Sequence, residues 1–376
     1  MLKLQRFIKR VDFELTRQKI LHFTKASPPN HLELPTTHHL RNLQSLTNDL
    51  YVVIKLNIII VTDSFNVSPG GFSALNNLAN GLSLIGCNVI LAQDLDEDII
   101  TDFQPSQIIL SDTPRQVEII NKFGHLLRRQ NCQIGISAVT PLDQSQVKLE
   151  NQLKKYADLG VNFLWGFKND EFYRHDTYTL QLESKSGLPV ISIPFGADVT
   201  AYYPIIKNRT NRSLDFIFLA SRNLDKWSVI KPILLKLGKS GLSGVINGPG
   251  WNKERYTIQK SDHMRFFSSA RNGLNAHIPM SRDKHTELNE RFYNLMLSGL
   301  PQVVDDIPLL DSHGFRDKVA VYSDAHDLLR HLQPGTKMNM AKVDRSLAAY
   351  NSIMDGHTNL HRANNLCTQL LKLDRY

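Results

Sequence analysis

Three stretches of this sequence place residues that can hold a phosphate at the seams between apolar runs. In Asp63-Ser64-Phe65-Asn66-Val67-Ser68-Pro69-Gly70-Gly71, the paired glycines Gly70 and Gly71 let backbone N–H groups approach a phosphate or sugar, and a helix starting there favours negative charge. The run lacks the Gly-Lys-Ser/Thr of a P-loop and the spacing of a dinucleotide fingerprint, and the same glycines also suit a plain turn. Arg222 and Lys226 follow an apolar run, two cations able to stabilise charge gathering on a phosphate. The third stretch opens with Gly248-Pro249-Gly250-Trp251, passes through Asn275 and His277 at a strand end, and reaches a helix bearing Glu287, Glu290, Arg291 and Asn294. Arg291 either faces a phosphate or pairs with Glu287 at i, i+4, and His277 is placed for a sugar or phosphate contact, although a lone histidine more often serves packing. Asp305 and Asp306 adjoin one another, but neighbouring strand residues point to opposite faces, so no metal site is expected there.

The elements that must position these residues alternate between strand and helix. An apolar run at Val52–Thr62 reads as a strand covered on both faces. After the Pro69–Gly71 loop, Leu75, Leu78, Ala79, Leu82 and Ile85 recur at helical spacing, Gly86 caps the helix, and Cys87–Ala92 is a second strand. The alternation continues through the strands Gln107–Leu110, Cys132–Ala138, Val161–Gly166 and Pro189–Pro194, with a helix at Gln116–Gln130. A fresh cycle runs through the strand Leu214–Ala220, the helix Ser228–Leu237, the strand Gly244–Asn247, a helix at Ser261–Ala270, the strand Asn272–Ala276, the helix Leu288–Ser298 and the strand Gln302–Val304. A helical stretch from Val343 to Leu373 closes the chain. Two βαβ blocks, joined near residue 200, give a doubly wound α/β class. At the joint, Ile193-Pro194-Phe195-Gly196-Ala197-Asp198 reads as a turn, with Asp198 fixing it through local backbone hydrogen bonds.

A length of 376 residues fits two hydrophobic cores, and 41% hydrophobic with 21% charged residues is the balance of a globular protein. No apolar run reaches the roughly 18 residues of a spanning helix, and the start lacks a signal-peptide core. Cys87, Cys132 and Cys367 lie far apart in sequence, so neither a disulfide nor a zinc site is expected and a cytoplasmic setting fits. The net charge is +8. Residues 1–50 hold eight Lys/Arg against four Asp/Glu, and Leu4, Phe7, Ile8, Val11 and Leu15 share one helical stripe there. That stripe either packs on the body of the protein or, through residues 1–25, meets an anionic membrane surface at the inner face of the membrane. Nucleic acid would draw on the same charge, but no basic motif interleaved with aromatics accompanies it.

The segment Leu75-Asn76-Asn77-Leu78-Ala79-Asn80-Gly81-Leu82 between Gly70-Gly71 and Gly86-Cys87-Asn88-Val89 resembles the opening of the first domain of GT-B glycosyltransferases. The Ile193–Asp198 stretch, continuing to Tyr202-Tyr203-Pro204, resembles their interdomain joint. Gly248–Trp251, then Ser268-Ser269-Ala270-Arg271-Asn272-Gly273-Leu274-Asn275-Ala276-His277, then Asn289-Glu290-Arg291-Phe292-Tyr293-Asn294 through Ser298-Gly299-Leu300-Pro301, resembles the second domain of the CgeB-like branch of group 1 glycosyltransferases. The resemblance implies two Rossmann-like domains facing a central cleft. Its boundaries are a basic extension at 1–50, an acceptor-side domain at 51–198, a nucleotide-sugar domain at 199–345, and a final helix at 346–376 returning across the junction. It implies a nucleotide sugar, UDP- or GDP-linked, as co-substrate with no further cofactor, and a glycan or lipid-linked acceptor in cell-surface polysaccharide synthesis. By the same resemblance Gly70, Gly71, Arg222, Lys226, Gly248, Gly250, His277 and Arg291 line the donor site, and transfer retains configuration without a metal. One departure stands out: the resembling enzymes carry glutamate where this chain has Asn294, which keeps an acceptor oxygen for the donor ribose but loses the charge. Glu287 or Glu290 then becomes the ribose candidate, or donor binding has degenerated and the chain is a binding protein. A DNA-modifying glycosyltransferase and a nucleotide-sugar epimerase are the other readings of this architecture.

Overall fold

The Ile-rich run after Leu56 forms a strand, β1 (Asn57–Val61), shorter than its hydrophobicity predicts. A strand extends only as far as it finds partners, and the residue opposite Asn57 is Asn88, the first of the neighbouring strand; upstream, Val53 is exposed. The computed structural model describes residues 34–53, 55–64, 69–137, 145–205, 212–221, 227–251, 258–278, 286–333 and 340–373, together with Asp12, Thr16, Lys19 and Phe23. The chain divides into two compact units, a first of Ser45–Gly196 with Asn359–Tyr376, and a second of Met1–Gln44 with Ala197–Thr358. A helix α1 (Thr37–Asp49) spans the division at residue 44.

In the first unit β1 is followed by α2 (Pro69–Leu84), β2 (Asn88–Ala92), α3 (Glu97–Phe103), β3 (Gln107–Leu110), α4 (Pro114–Arg129), β4 (Gln133–Ser137), α5 (Gln146–Leu159), β5 (Phe163–Gly166), α6 (Asp170–His175), α7 (Thr177–Ser186) and β6 (Val190–Ser192). The strands form one parallel sheet in the order β2-β1-β3-β4-β5-β6. Its central strands are buried on both faces, as Ile59, Ile108 and Ile134 in one core cluster illustrate. Pro69-Gly70-Gly71, expected as a loop, is the first turn of α2 instead; proline suits that position because its missing N–H has no helical partner there.

In the second unit β7 (Phe216–Leu219), α8 (Trp227–Leu237), β8 (Gly244–Asn247), α9 (His263–Ser269), β9 (Gly273–Leu274), α10 (Glu290–Leu297), β10 (Gln302–Asp305), α11 (Leu309–Ser312), β11 (Ala320–Tyr322), α12 (Ala325–Leu332) and α13 (Met340–Gly356) follow in turn. Its parallel sheet runs β11-β10-β9-β7-β8. Read from β8, this is the strand order 2-1-3-4-5, the same winding as the first five strands of the other sheet. The strand predicted over Asn272–Ala276 closes at Leu274, because the Ala276 N–H turns to the Asn275 side-chain oxygen (2.9 Å) instead of the ladder. Phe23 is buried in the core of this unit edge-on to Phe216 at 5.2 Å, and Asp12 accepts hydrogen bonds from Trp227 Nε1 and Lys231 Nζ, both at 2.8 Å. These described residues of the amino-terminal segment therefore pack on the body.

The closing helical stretch is two helices, α13 and α14 (Asn359–Leu373). It breaks at His357-Thr358, where the Ala197 N–H bonds to the His357 carbonyl (2.8 Å) and Ala197 pairs with Thr358 as an isolated bridge. α14 belongs to the first unit and packs on α2 so closely that a Cβ on Gly81 would stand 2.6 Å from the Asn359 carbonyl oxygen. No helix among the described residues is long and apolar enough to cross a membrane.

Candidate functional site

In a doubly wound sheet, ligands bind beyond the carboxyl ends of the strands where the winding reverses, because the helices leaving on opposite faces open a crevice there. In the second unit this point lies between β7 and β9. Arg291, in the first turn of α10, bridges the two strand ends: its Nε donates to the Leu219 carbonyl (2.5 Å) and its Nη1 to Asn275 Oδ1 (2.8 Å), with the guanidinium over the Phe218 ring at 4.9 Å. Burial pushes the guanidinium down to about 10, against the opposing pull of Asp305 and Glu290, so it stays charged at neutral pH. Among the described residues no carboxylate comes within ion-pair distance of it, and its other terminal nitrogen makes no hydrogen bond. The alternative pairing with Glu287 is not formed. A cation held in place by neutral oxygens keeps its charge available to an anion.

The strand ends around Arg291 are locked to one another. Asn289 caps α10, accepting from the Phe292 N–H at 3.1 Å, and its amide donates to Asn275 Oδ1 at 3.0 Å. Asn275 donates to Gln302 Oε1 (3.0 Å), and the Tyr322 hydroxyl donates to the Asn275 carbonyl (3.0 Å). His277 is buried, with its backbone N–H and Nδ1 both on the Asp305 carboxylate, the ring contact at 2.8 Å. Since a carboxylate only accepts, Nδ1 carries the proton, and Nε2 is left with no partner. Asp305, to which spacing alone gave no role, is thus the residue that orients His277; Asp306 turns to the surface and pairs with Arg316 at 2.8 Å.

Gly248 and Gly250 both have positive φ, 137° and 85°. At Gly248 a Cβ would lie 2.2 Å from the Ala220 carbonyl oxygen, which in turn accepts Trp251 Nε1 at 2.6 Å. The bend is therefore a close-packed brace that fixes the ends of β7 and β8 together. Asn294 is buried, and its Oδ1 accepts the Asp198 N–H at 2.9 Å, so the acceptor oxygen expected for a ribose is occupied by the backbone. Its amide approaches Glu290 at 3.4 Å. Asp198 also accepts from the Thr200 N–H (2.9 Å) and pairs with Lys260, as a turn-fixing residue should. Nearby, the Tyr202 hydroxyl meets His263 Nδ1 at 2.6 Å; burial pushes Tyr202 up well above its ordinary range, and Glu290 adds to the effect. Arg222 and Lys226 lie outside the described residues.

The corresponding edge of the first sheet is built differently. Arg115 at the start of α4 donates to the Gln93 carbonyl and to Asp94, both at 2.6 Å, and lies 3.5 Å from Asp63 just past the end of β1. Asp112, after β3, takes a hydrogen bond from Gln152 (2.8 Å) and pairs with Lys155. Gly70 is exposed, and a Cβ placed on it would meet nothing within 4 Å. The spacings Asp94-Leu95-Asp96 and Asp96-Glu97-Asp98, which sequence alone did not single out, serve the scaffold: Asp96 caps α3 through the Ile99 N–H at 2.8 Å and Asp94 holds Arg115. No group of three or more His, Cys, Asp or Glu among the described residues is placed to hold a metal.

Residues 228–368 match the family model described as glycosyl transferase-like. No curated protein matches the chain. Solved structures of the same fold include Alr3699/HepE of Anabaena in complex with UDP-glucose, with 10% identity and a TM-score of 0.55 over 84% of this chain and 99% of that one. A glycosyltransferase from Rickettsia africae shares 10% identity with a TM-score of 0.53, over 85% and 99% of the two chains. The T4 phage β-glucosyltransferase shares 13% with a TM-score of 0.51, over 84% and 99%. At such identities these likenesses speak for the fold, which is GT-B. The family match supplies the activity class, an enzyme of glycosyl transfer.

Proposed function

We propose that this GT-B glycosyltransferase takes its sugar from a UDP-linked donor whose diphosphate is bound at the carboxyl edge of the second sheet. The observation that carries the reading is Arg291: charged, anchored to Leu219 and Asn275, and without a carboxylate to neutralise it. The amino end of α10 adds its dipole, and the leaving diphosphate gathers negative charge as the glycosidic bond to it breaks. Arg222 and Lys226 supply further positive charge in this reading, and the Gly248–Trp251 brace keeps the two strand ends at fixed spacing. His277, oriented by Asp305, presents Nε2 to the sugar or the phosphate. The ribose falls to Glu290 or Glu287, since Asn294 is engaged with Asp198. The choice of UDP rests on the UDP-glucose bound by the Anabaena protein of this fold. Gly70 and Gly71, at the amino end of α2, stay candidates for contact with the donor phosphates or the transferred sugar, and the acceptor is a cell-surface glycan or lipid-linked sugar, with retention of configuration and no metal. The basic residues 1–25 support a place at a membrane surface.

A second reading has its own support: a β-glucosyltransferase described as a DNA modifying enzyme shares the fold at 11% identity and a TM-score of 0.50, and this chain carries a net charge of +8. A thermal-shift screen across UDP, GDP, ADP and CMP, with and without duplex DNA, tests both. UDP alone is expected to raise the melting midpoint by several degrees. No response to any nucleotide ends the donor-site assignment, and salt-sensitive retention on DNA replaces the glycan acceptor with a nucleic acid.

A further inference from the structure

Far apart in sequence, Cys87 and Cys367 meet in the first unit with their sulfurs 3.4 Å apart. Both are buried, Cys87 just ahead of β2 and Cys367 on the inner face of α14 beside Leu366 and Leu370. Sequence spacing alone predicts no disulfide; the fold nevertheless brings two of the three cysteines into contact as free thiols. Their surroundings hold them there. The Cys87 N–H donates to the Leu82 carbonyl at 3.0 Å just past the end of α2, next to Gly86, whose φ of 104° suits glycine. α14 is fixed by the Asn359 amide on the Asn77 carbonyl (3.1 Å) and by Arg362 Nε on the Phe195 carbonyl (3.1 Å).

We propose that Cys87 and Cys367 form a modification site, a thiol pair that closes to a disulfide with peroxide as oxidant and so staples α14 to the turn between α2 and β2. Cys87 is the attacking sulfur: it is 6% exposed against 1% for Cys367, so peroxide reaches it first. The thiolate attacks one peroxide oxygen, the O–O bond breaks, and the departing hydroxide takes up a proton to leave as water. The resulting sulfenic acid on Cys87 is then attacked by Cys367; its S–O bond breaks and a second water leaves with the Cys367 proton. Both sulfurs are oxidised and one peroxide is reduced to two waters. Cys132, a buried thiol pushed up to about 12 by desolvation and with no cysteine beside it, is the internal control.

The full chain is treated with hydrogen peroxide, digested without reductant and mapped by mass spectrometry. A linked peptide pair containing Cys87 and Cys367, with an intact mass about 2 Da lower that reverts on reduction, is the expected result. Because the bond closes a very long loop, the oxidised chain should melt higher, by on the order of 5 °C. Cys367→Ser should abolish the link and leave Cys87 as a trappable sulfenic acid, while Cys132→Ser should leave the link intact. Independent oxidation of each thiol to sulfinic acid in the unsubstituted chain, or a link through Cys132, overturns the proposal. Nucleotide response plays no part in this readout, so it stands or falls apart from the donor site.

Discussion

The two sheets share a winding order and differ in how they treat a cation at the carboxyl edge. Arg115 in the first unit is surrounded by Asp94 and Asp63, and those contacts raise its affinity for the proton. Arg291 in the second unit directs its donors to a main-chain carbonyl and an asparagine amide, and desolvation lowers its affinity for the proton. Both arginines follow the same topological rule, yet one is neutralised by its neighbours and the other is held ready by groups of no net charge. Position in a doubly wound sheet therefore nominates a site, and the identity of the anchoring oxygens decides whether it can take an anion.

The sharpest way to break this contrast is to remove each arginine in turn. Arg291→Ala should weaken nucleoside diphosphate binding roughly a hundredfold, about 3 kcal/mol, as measured by titration calorimetry. Arg115→Ala should leave that affinity unchanged, and losing its exposed ion pairs should lower stability by no more than about 0.5 kcal/mol. Equal losses from the two variants would erase the distinction. The glycines give a second pair. Gly248→Ala forces a Cβ against the Ala220 carbonyl at a φ of 137°, and denaturant unfolding should show a loss of roughly 2–3 kcal/mol. Gly70→Ala meets open space in a helical turn and should be neutral or stabilising by about 0.5 kcal/mol.

A last test sharpens the comparison through pH. His39 of the second unit is buried against the Tyr350 hydroxyl at 3.0 Å, and desolvation lowers its pKa to about 4. A folded-state value depressed below the unfolded one contributes full stability above pH 6.5 and loses it as pH falls towards 4. His39's share of the loss should reach about 2 kcal/mol at pH 5, so His39→Gln should lose about 2 kcal/mol less than the unsubstituted chain between neutral pH and pH 5, read from chemical denaturation; His263, lowered to about 4 in the same way, keeps its own share in both.

Much of the architecture is legible in the residues because buried parallel strands are written as apolar runs. Gln107–Leu110 and Gly244–Asn247 fall where the runs predict, and the helix bearing Arg291 stands within two residues at its start. The short β11 and the four-residue α11 are too brief to carry a periodicity, and the break at His357-Thr358 is set by a backbone pairing with Ala197 that no local pattern announces. The site divides along similar lines. The anchoring helix and the Gly248–Trp251 bend show in glycine spacing and motif, whereas the roles of Asp305 and Asn294 come from partners tens of residues away. The available signal was a carboxylate at one strand end, Asp305, and an isolated histidine at another, His277. Considered only as a metal pair, Asp305 and Asp306 conceal it.

α14 lies at the far end of the chain from the unit it completes. When residues 45–196 have left the ribosome, the face of α2 that carries Asn77 and Gly81 still awaits Asn359 and Ala363, and the whole stretch to residue 358 must be synthesised before residues 359–373 arrive. The earlier-made half thus waits through the synthesis of residues 197–358 with one side of α2 uncovered, and α14 acts as the keystone of the part that was begun first.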